Sequence, residues 1–369
     1  MKFPFLRPVL PKPETWVHHL NVSFEQHYFS NFGPLATKLE AIMAEQYLSE
    51  GYKATLVTSN TLGIVSVLQA LDVRGKRVIV PDFTFAGTLQ SIIAAGGIPL
   101  ICDVDPATSE LCPNSVKSAF ETYDNISTVV YVRCYGFVND VNTFREICDD
   151  NGAQLVIDAA AALSKPGEVT FGSPSGEIEI FSLHATKVFA IGEGGMIAAP
   201  EKFSNRIRQS ANFGFNPDRT FHDGLNSKID EFRCAIGIEA LKQMPTIVAH
   251  RQAHAQKYLN LFEGNSFVRL LDMPEYASWS CFPTLVPSHL RDKFVTLLAS
   301  VGIETKKYYW PGLKNGYKGS AQYDVMETPV SERIQAEIIC LPVYSEPLEE
   351  FWPSMKHAFQ SALNAIDDV

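Results

Sequence analysis

Gln154-Leu155-Val156-Ile157-Asp158-Ala159-Ala160-Ala161-Ala162, followed by Glu177-Ile178-Glu179-Ile180-Phe181-Ser182-Leu183-His184-Ala185-Thr186-Lys187, is the stretch on which the fold turns. Each half opens with an apolar run too short for a buried helix and closes on a polar residue, as a buried strand does where it leaves a sheet. Working outward, Lys76-Arg77-Val78-Ile79-Val80 runs into Pro81, and Ile98-Pro99-Leu100-Ile101 leads to Asp103. Val129-Val130-Tyr131-Val132 leads to Tyr135-Gly136, and a helical stretch near 141–151 separates it from the next run. This alternation, from about residue 55 to 212, predicts an α/β fold with a mostly parallel mixed sheet flanked by helices. Ligands of such sheets gather at the carboxyl ends of the strands, so the residues that terminate these runs are the candidates for chemistry.

The chain has 369 residues, more than one hydrophobic core usually serves, so a large domain and a smaller one are expected. A helix patterned by Ile229, Phe232, Ile236 and Leu241 is expected to stop at Pro245, which places the large domain at 1–245 and a smaller C-terminal α/β domain at 246–369. The second part is expected to hold a helix at 247–263, strands near 279–286 and a final helix from Pro353.

A formal net charge of −10 excludes a general affinity for nucleic acid or anionic membranes. No segment approaches 18 continuous apolar residues, and the proline-rich start does not read as a signal peptide, so a cytoplasmic location is expected. Seven cysteines without a C-x-x-C pair suggest neither a disulfide framework nor a zinc site. His250 and His254 have the spacing of a helical metal pair but lack the accompanying glutamate, and are read as a solvated helix face. No metal site is expected. Gly192-Glu193-Gly194-Gly195 is neither a dinucleotide fingerprint nor a P-loop, and serves as a turn into a strand.

The strand-end residues together supply the four parts of a pyridoxal 5'-phosphate site: an amine, an acid for the pyridine nitrogen, an aromatic face and donors for a phosphate. Lys187 is the amine, although a lysine after a strand is more often a solvated surface residue. Asp158 is aimed at a neighbourhood of small residues, where a carboxylate needs a cation; it could equally be a helix cap. Thr58-Ser59-Asn60-Thr61 precedes a helix patterned by Ile64, Val67, Leu68 and Leu71, so its hydroxyls and free N–H groups could meet an anion or simply cap the helix. Ser182 is a second donor from a neighbouring strand, and Phe85 offers a ring face unless it and Phe83 are core.

In this order, Pro81-Asp82-Phe83-Thr84-Phe85-Ala86-Gly87-Thr88, Asp103-Val104-Asp105, Tyr135-Gly136, Asp158-Ala159-Ala160, Ser182-Leu183-His184-Ala185-Thr186-Lys187 and Gly192-Glu193-Gly194-Gly195 resemble the DegT/DnrJ/EryC1/StrS family of sugar aminotransferases. These are pyridoxal-phosphate enzymes of the aspartate aminotransferase fold, fold type I. The resemblance implies Lys187 as the Schiff-base lysine, Asp158 as the pyridinium partner, Phe85 as the stacking ring, and Ser182, Asn60 and Thr61 as phosphate donors. It also implies that Asn226, in Gly224-Leu225-Asn226, reaches the phosphate of a neighbouring subunit, and hence a homodimer with shared active sites. Two positions depart from the family pattern: Ala161 stands where glutamine is common, and Asn60 where glycine is common.

The implied reaction moves an amino group from an amino acid, L-glutamate by the resemblance, to a nucleotide-sugar substrate. Ser182 to Phe189 followed by Glu193-Gly194-Gly195 resembles the branch acting on dTDP-4-keto-6-deoxyhexoses, which yields a 4-amino-4,6-dideoxy sugar for polysaccharide or O-antigen synthesis. A 3-keto sugar nucleotide as acceptor, and a non-catalytic sensor that keeps the fold, are the alternatives.

Overall fold

The structure is a computed structural model that describes residues 2–165, 167–172, 176–347, 349 and 351–367. The strands are β1 Tyr52–Val57, β2 Arg77–Pro81, β3 Ile98–Cys102, β4 Ile126–Val132, β5 Gln154–Asp158, β6 Ile178–Ser182, β7 Gly195–Pro200, β8 Phe282–Leu285, β9 Asp324–Val325 and β10 Ile338–Leu341. Eight of them form one sheet in the order β1-β7-β6-β5-β4-β2-β3-β9, and β8 pairs antiparallel with β10 in a small second sheet. The run from β6 to β9 is parallel, while β7 lies antiparallel to both β6 and β1.

That arrangement brings several strand ends to one edge. β1 is antiparallel to β7, which is antiparallel to β6, so β1 runs the same way as β6 and both end where β7 begins. Val57 and Ser182 each face Gly195, and Val132 and Ile180 flank Asp158. The expected strands are present; β1, the two-residue β9 and β10 were not among them.

Alternate side chains of the central strands enter two cores on opposite faces of the sheet. Leu155 and Ile157 of β5 join one core with Ile79, Val129 and Phe181, and Val156 joins the other with Val80, Val130 and Ile180. Both faces are covered, which is why these strands read as continuous apolar runs rather than as alternating ones.

The expected break at Pro245 does not occur. One helix runs Glu231–Phe262 with Pro245 inside it. Apolar neighbours on either side hold its axis, with Met244, Ile247 and Val248 in one core and Ala255, Tyr258 and Phe262 in the other. Tertiary packing has overridden the local cost of proline, and position 245 falls within a helix. The same helix corrects the reading of His254 as solvated. That ring is fully buried against Tyr258 and Tyr344, its Nδ1 accepts from the Tyr344 N–H at 3.1 Å, and burial holds its pKa down at about 3.

The C-terminal part is also tied back to the large sheet. β9 pairs with β3, and the Arg77 guanidinium meets the Asp324 carboxylate at 2.8 Å. Asp82, buried at the end of β2, accepts from Ser331 Oγ at 2.6 Å, Gln335 Nε2 at 2.7 Å and the Lys314 N–H at 2.7 Å. Among the described residues no helix is long and apolar enough to cross a membrane.

Candidate active site

At the shared strand edge lies a cavity of about 520 Å³, within the range of sites that enclose a small ligand. Lys187, Asp158, Phe85, Ser182, Asn60 and Thr61 all line it. Asn226 does not: it is exposed, bridged to Asn212 and away from the cavity of its own chain. Nor does it cap a helix, because the next helix begins at Glu231 and is capped by Asp230, whose carboxylate accepts from the Arg233 N–H at 3.0 Å.

Asp158 ends β5 inside the cavity wall. Its carboxylate accepts from Thr88 Oγ1 at 2.8 Å, Asn60 Nδ2 at 3.1 Å and the Ala160 N–H at 3.2 Å. Burial pushes its pKa up, opposed by these donors and by the nearby Lys187 charge. Lys187 is shifted the other way: burial lowers its pKa, Asp158 supports the charged form, and Arg251 opposes it. A carboxylate and an amine are therefore held in one desolvated space, each pressed toward its neutral state.

The geometry divides Phe83 from Phe85. Phe83 is fully buried in the core, whereas Phe85 is 62% exposed, with its ring on the cavity. Gly87 makes room for that ring: a Cβ there would approach Phe85 Cδ1 to 3.1 Å and Thr61 Oγ1 to 3.2 Å. An exposed aromatic face at the mouth of a cavity is suited to covering another flat ring.

Helix Asn60–Ala70 points its N-terminus at the same space, with Ser59 as the cap accepting from the Leu62 N–H at 3.2 Å. Gly195 allows the close approach of β7 to this terminus, since a Cβ there would sit 2.8 Å from Asn60 N and the Ser59 carbonyl carbon. The Asn60 side chain is turned toward Asp158. Its amide group is committed to Asp158, and its Oδ1 is buried without a partner among the described residues. What this terminus offers an anion is the first-turn N–H groups and the Thr61 hydroxyl, with Ser182 Oγ across from them.

Several contributors were missed. Thr88 fixes Asp158 and is itself within 3.2 Å of Thr84 Oγ1; the i, i+4 spacing of two threonines around Phe85 was the available signal. Tyr135, Tyr308 and Tyr309 form an aromatic wall, and Phe5 and Leu6 cover part of the cavity from the N-terminal segment. The run Tyr308-Tyr309-Trp310 could have flagged the first group, but nothing in the sequence ties residues 5 and 6 to residue 187.

Arg251 is the least expected of them. It lines a small cleft beside Lys187, is almost fully buried, and donates to Trp279 O, Ser280 O and Ser345 Oγ, each at 2.9 Å. All three acceptors are neutral, and burial lowers its pKa to about 10.

The family model described as the DegT/DnrJ/EryC1/StrS aminotransferase family matches residues 14–351. The chain belongs to that family. A dTDP-4-amino-4,6-dideoxy-D-glucose transaminase of Shigella dysenteriae is 26% identical over 92% of this chain and 93% of its own length. A 3-oxo-glucose-6-phosphate:glutamate aminotransferase of Bacillus subtilis is also 26% identical, over 86% of this chain and 74% of its own. Among solved structures, a protein described as a putative PLP-dependent aminotransferase, from Bacillus cereus, superposes with a TM-score of 0.90 at 24% identity, covering 98% of this chain and all of that one.

The expected fold, aminotransferase class and pyridoxal-phosphate cofactor therefore stand. As a DegT/DnrJ/EryC1/StrS member the chain has a cavity that fits the cofactor by its own chemistry. A carboxylate, an amine, an uncovered aromatic ring and a helix N-terminus converge on one space, and a buried amide oxygen there lacks a partner among the described residues.

Proposed function

We propose that this protein transfers an amino group from L-glutamate to a nucleotide-linked keto-deoxy sugar, and that a dTDP-4-keto-6-deoxyhexose is the acceptor, giving a 4-amino-4,6-dideoxy sugar. The observation that carries the reading is the convergence of Lys187 and Asp158 in one buried cavity with Phe85 exposed at its mouth. Lys187 would hold the cofactor, Asp158 its ring nitrogen, Phe85 its face, and Ser182, Thr61 and the first-turn N–H groups of helix Asn60–Ala70 its phosphate. When bound, pyridoxal phosphate supplies an electron sink for the carbon that loses or gains the amine.

Each remaining part of the chemistry belongs to this chain's residues. Lys187, kept toward its neutral form by burial, takes the proton from the donor's Cα and later delivers one to the sugar carbon that receives the amine. Asp158, fixed by Thr88 and Asn60, balances the positive charge of a protonated ring nitrogen. Arg251, a buried cation beside Lys187 whose hydrogen-bond partners among the described residues are all neutral, would take the donor's carboxylate. The acceptor enters past Tyr308, Tyr309 and Leu6, a wall that suits a deoxy sugar with an apolar methyl edge.

The two relatives above are named for different sugars at the same identity, so a 3-keto acceptor is the second reading. A homodimer is part of the proposal, since Asn226 stands exposed outside its own cavity and would complete a neighbour's phosphate site. The site is proposed to work in the cytoplasm, in synthesis of an amino sugar for polysaccharide.

Borohydride reduction of the loaded protein and peptide mapping should label Lys187. Purified enzyme with glutamate, assayed against a panel of 4-keto and 3-keto sugar nucleotides, should turn over the 4-keto dTDP sugar fastest. Preference for a 3-keto substrate, or label on another lysine, would overturn the corresponding part.

A further inference from the structure

The N-terminal segment is anchored before it reaches the site. Phe3 and Phe5 are buried, Phe3 bridges to Ile303, the Phe5 N–H donates to the Glu304 carboxylate at 3.0 Å, and the Tyr344 hydroxyl donates to the Pro4 carbonyl at 2.6 Å. These ties set the Arg7 guanidinium over the rings of Phe351 and Tyr344, 4.7 and 5.4 Å from their centroids. Arg7 thereby becomes part of the small cleft that Lys187 and Arg251 also line.

The charge of that cleft is one-sided. Arg7, Lys187 and Arg251 line it, and among the described residues no acidic side chain does. It shares Phe5, Leu6, Thr186, Lys187 and Ser280 with the main cavity, so a small molecule that brings its amine to Lys187 borders both spaces. The two guanidinium groups are held by consecutive residues at a bend in the chain. Ser345 Oγ accepts from Arg251 Nη1 at 2.9 Å, and Glu346 accepts from Arg7 Nε at 2.9 Å and Nη2 at 3.1 Å. Neighbouring Cα atoms are about 3.8 Å apart, so both cations are fixed to one point of the wall.

The ion pair with Glu346 does not close Arg7 to a ligand. The two side chains are 33% and 34% exposed, unlike the fully buried pair of Arg133 and Glu179. The pair engages Nε and Nη2, and the fork of a guanidinium has a further edge, through Nη1, for a second carboxylate. With one carboxylate of the amino donor assigned to Arg251, Arg7 is the cation of this cleft that remains for another.

We propose that Arg7 reads the distal carboxylate of a dicarboxylic amino donor, and so selects glutamate over glutamine, which has nearly the same shape without the charge. Glu346 competes for Arg7 as an internal carboxylate. The inference rests on the aminotransferase reading above and names the residue that chooses its donor.

Holoenzymes of wild type, Arg7→Gln, Arg7→Lys and Glu346→Gln are compared by single-turnover absorbance for kcat/KM with glutamate and with glutamine. Wild type should favour glutamate about tenfold to hundredfold, the worth of a hydrogen bond between charged groups. Arg7→Gln should abolish most of that ratio and Arg7→Lys should keep part of it. Glu346→Gln should widen it, because the competing carboxylate is gone. If Arg7 and Glu346 only staple the N-terminal segment, every variant should slow both donors together and leave the ratio unchanged. A second readout needs no turnover: glutarate should raise the melting temperature of the wild-type apoprotein more than its uncharged-end analogue glutaramate does, and Arg7→Gln should lose that difference. Should Arg7→Gln misfold, Arg7→Lys and Glu346→Gln carry the same measurements. A folded Arg7→Gln enzyme whose ratio stays within about twofold of wild type would overturn this inference, as would a wild type that uses both donors equally, and either result leaves the aminotransferase reading standing. A loaded wild type that accepts an amine from alanine and none from glutamate would overturn the reading of the donor together with the inference.

Discussion

Replacing Asp158 by Asn isolates charge from shape. In the wild-type protein Thr88 Oγ1 donates to Asp158 at 2.8 Å and Asn60 Nδ2 at 3.1 Å, while Asn60 Oδ1 has no partner among the described residues. In Asp158→Asn the Thr88 hydroxyl keeps an oxygen acceptor and Asn60 can turn its amide over to accept from the new NH2 group, while the Ala160 N–H loses its long 3.2 Å bond. The cost of burying a carboxylate disappears as well, so folding stability should change by no more than about 1 kcal/mol. What is lost is the negative charge proposed to face the ring nitrogen. At about 4 Å and an effective dielectric near 20, such a pair is worth roughly 4 kcal/mol. If most of that is expressed in the transition state, the half-reaction with glutamate should slow by about 10³. Stopped-flow absorbance of the cofactor in a single turnover measures it, with thermal melting and cofactor content as controls. A second consequence has a definite sign. The Asp158 charge is the main influence holding the Lys187 amine toward its protonated form against burial, so its removal should lower the Lys187 pKa further and let the apoprotein take up cofactor at lower pH. A loaded, folded variant that turns over within about tenfold of wild type would show that Asp158 is only a structural acceptor for Thr88 and Asn60.

Arg251→Met should raise the KM for the amino donor about tenfold to hundredfold and leave that for the sugar nucleotide near wild type; equal losses for both would remove Arg251 from donor binding. Asn226→Ala should weaken cofactor retention about tenfold or more, and mixing it with Lys187→Ala should recover activity at limiting cofactor; normal retention in the variant would refute the shared site. His254 has its folded pKa depressed to about 3 by burial, so its contribution to stability is present above its ordinary pKa near 6.5 and is lost as pH falls toward 3. Over that window stability should fall by about 1.4 kcal/mol per pH unit relative to His254→Asn, which keeps an acceptor for the Tyr344 N–H but does not titrate; parallel pH profiles of urea denaturation would sink this account.

The sheet was legible because its strands are buried on both faces. β2 to β6 read as short apolar runs with polar ends, and the ends are where Asp158 and Ser182 lie. β1 was harder, since Lys53 and Thr55 dilute its pattern, and β9 is too short to carry any. The helix through Pro245 was misread because local propensity was the only guide, whereas packing on two cores decides it. The same limit applied to His254, whose burial comes from Tyr344 and Trp352, about a hundred residues away in the chain. Within the site, residues adjacent to a strand end could be found from sequence. Those delivered by distant segments, Phe5, Arg251 and Tyr309, could not, because no local pattern encodes which loop closes over which strand. Asn60 lies between these cases: its place was readable, but its bond to Asp158 depends on the register of β5 beside the first turn of its helix.

The electrostatics of the site make sense only with ligands present. In the protein alone, Lys187 and Arg251 border one cleft and the Arg251 charge opposes that of Lys187, with Asp158 as the nearby carboxylate. Arg133 also borders the cavity but is already paired with Glu179 at 3.3 Å, and His184 at the rim faces Glu193 at 3.5 Å. Those paired groups ask for nothing further. The other three are each displaced by burial toward the neutral form, the carboxylate upward and the two cations downward. An anion bound near Lys187 and Arg251 would raise both of their pKa values, and a cation opposite Asp158 would lower its pKa, so a ligand carrying both charges relieves all three shifts together. A molecule with a protonated ring nitrogen, a phosphate and, once the donor arrives, a carboxylate meets that demand, whereas a simple anion would leave Asp158 unrelieved. The direction of the three shifts thus supports a zwitterionic occupant independently of the family relationship. It would be contradicted by an apoprotein in which phosphate alone restores ordinary titration of Asp158.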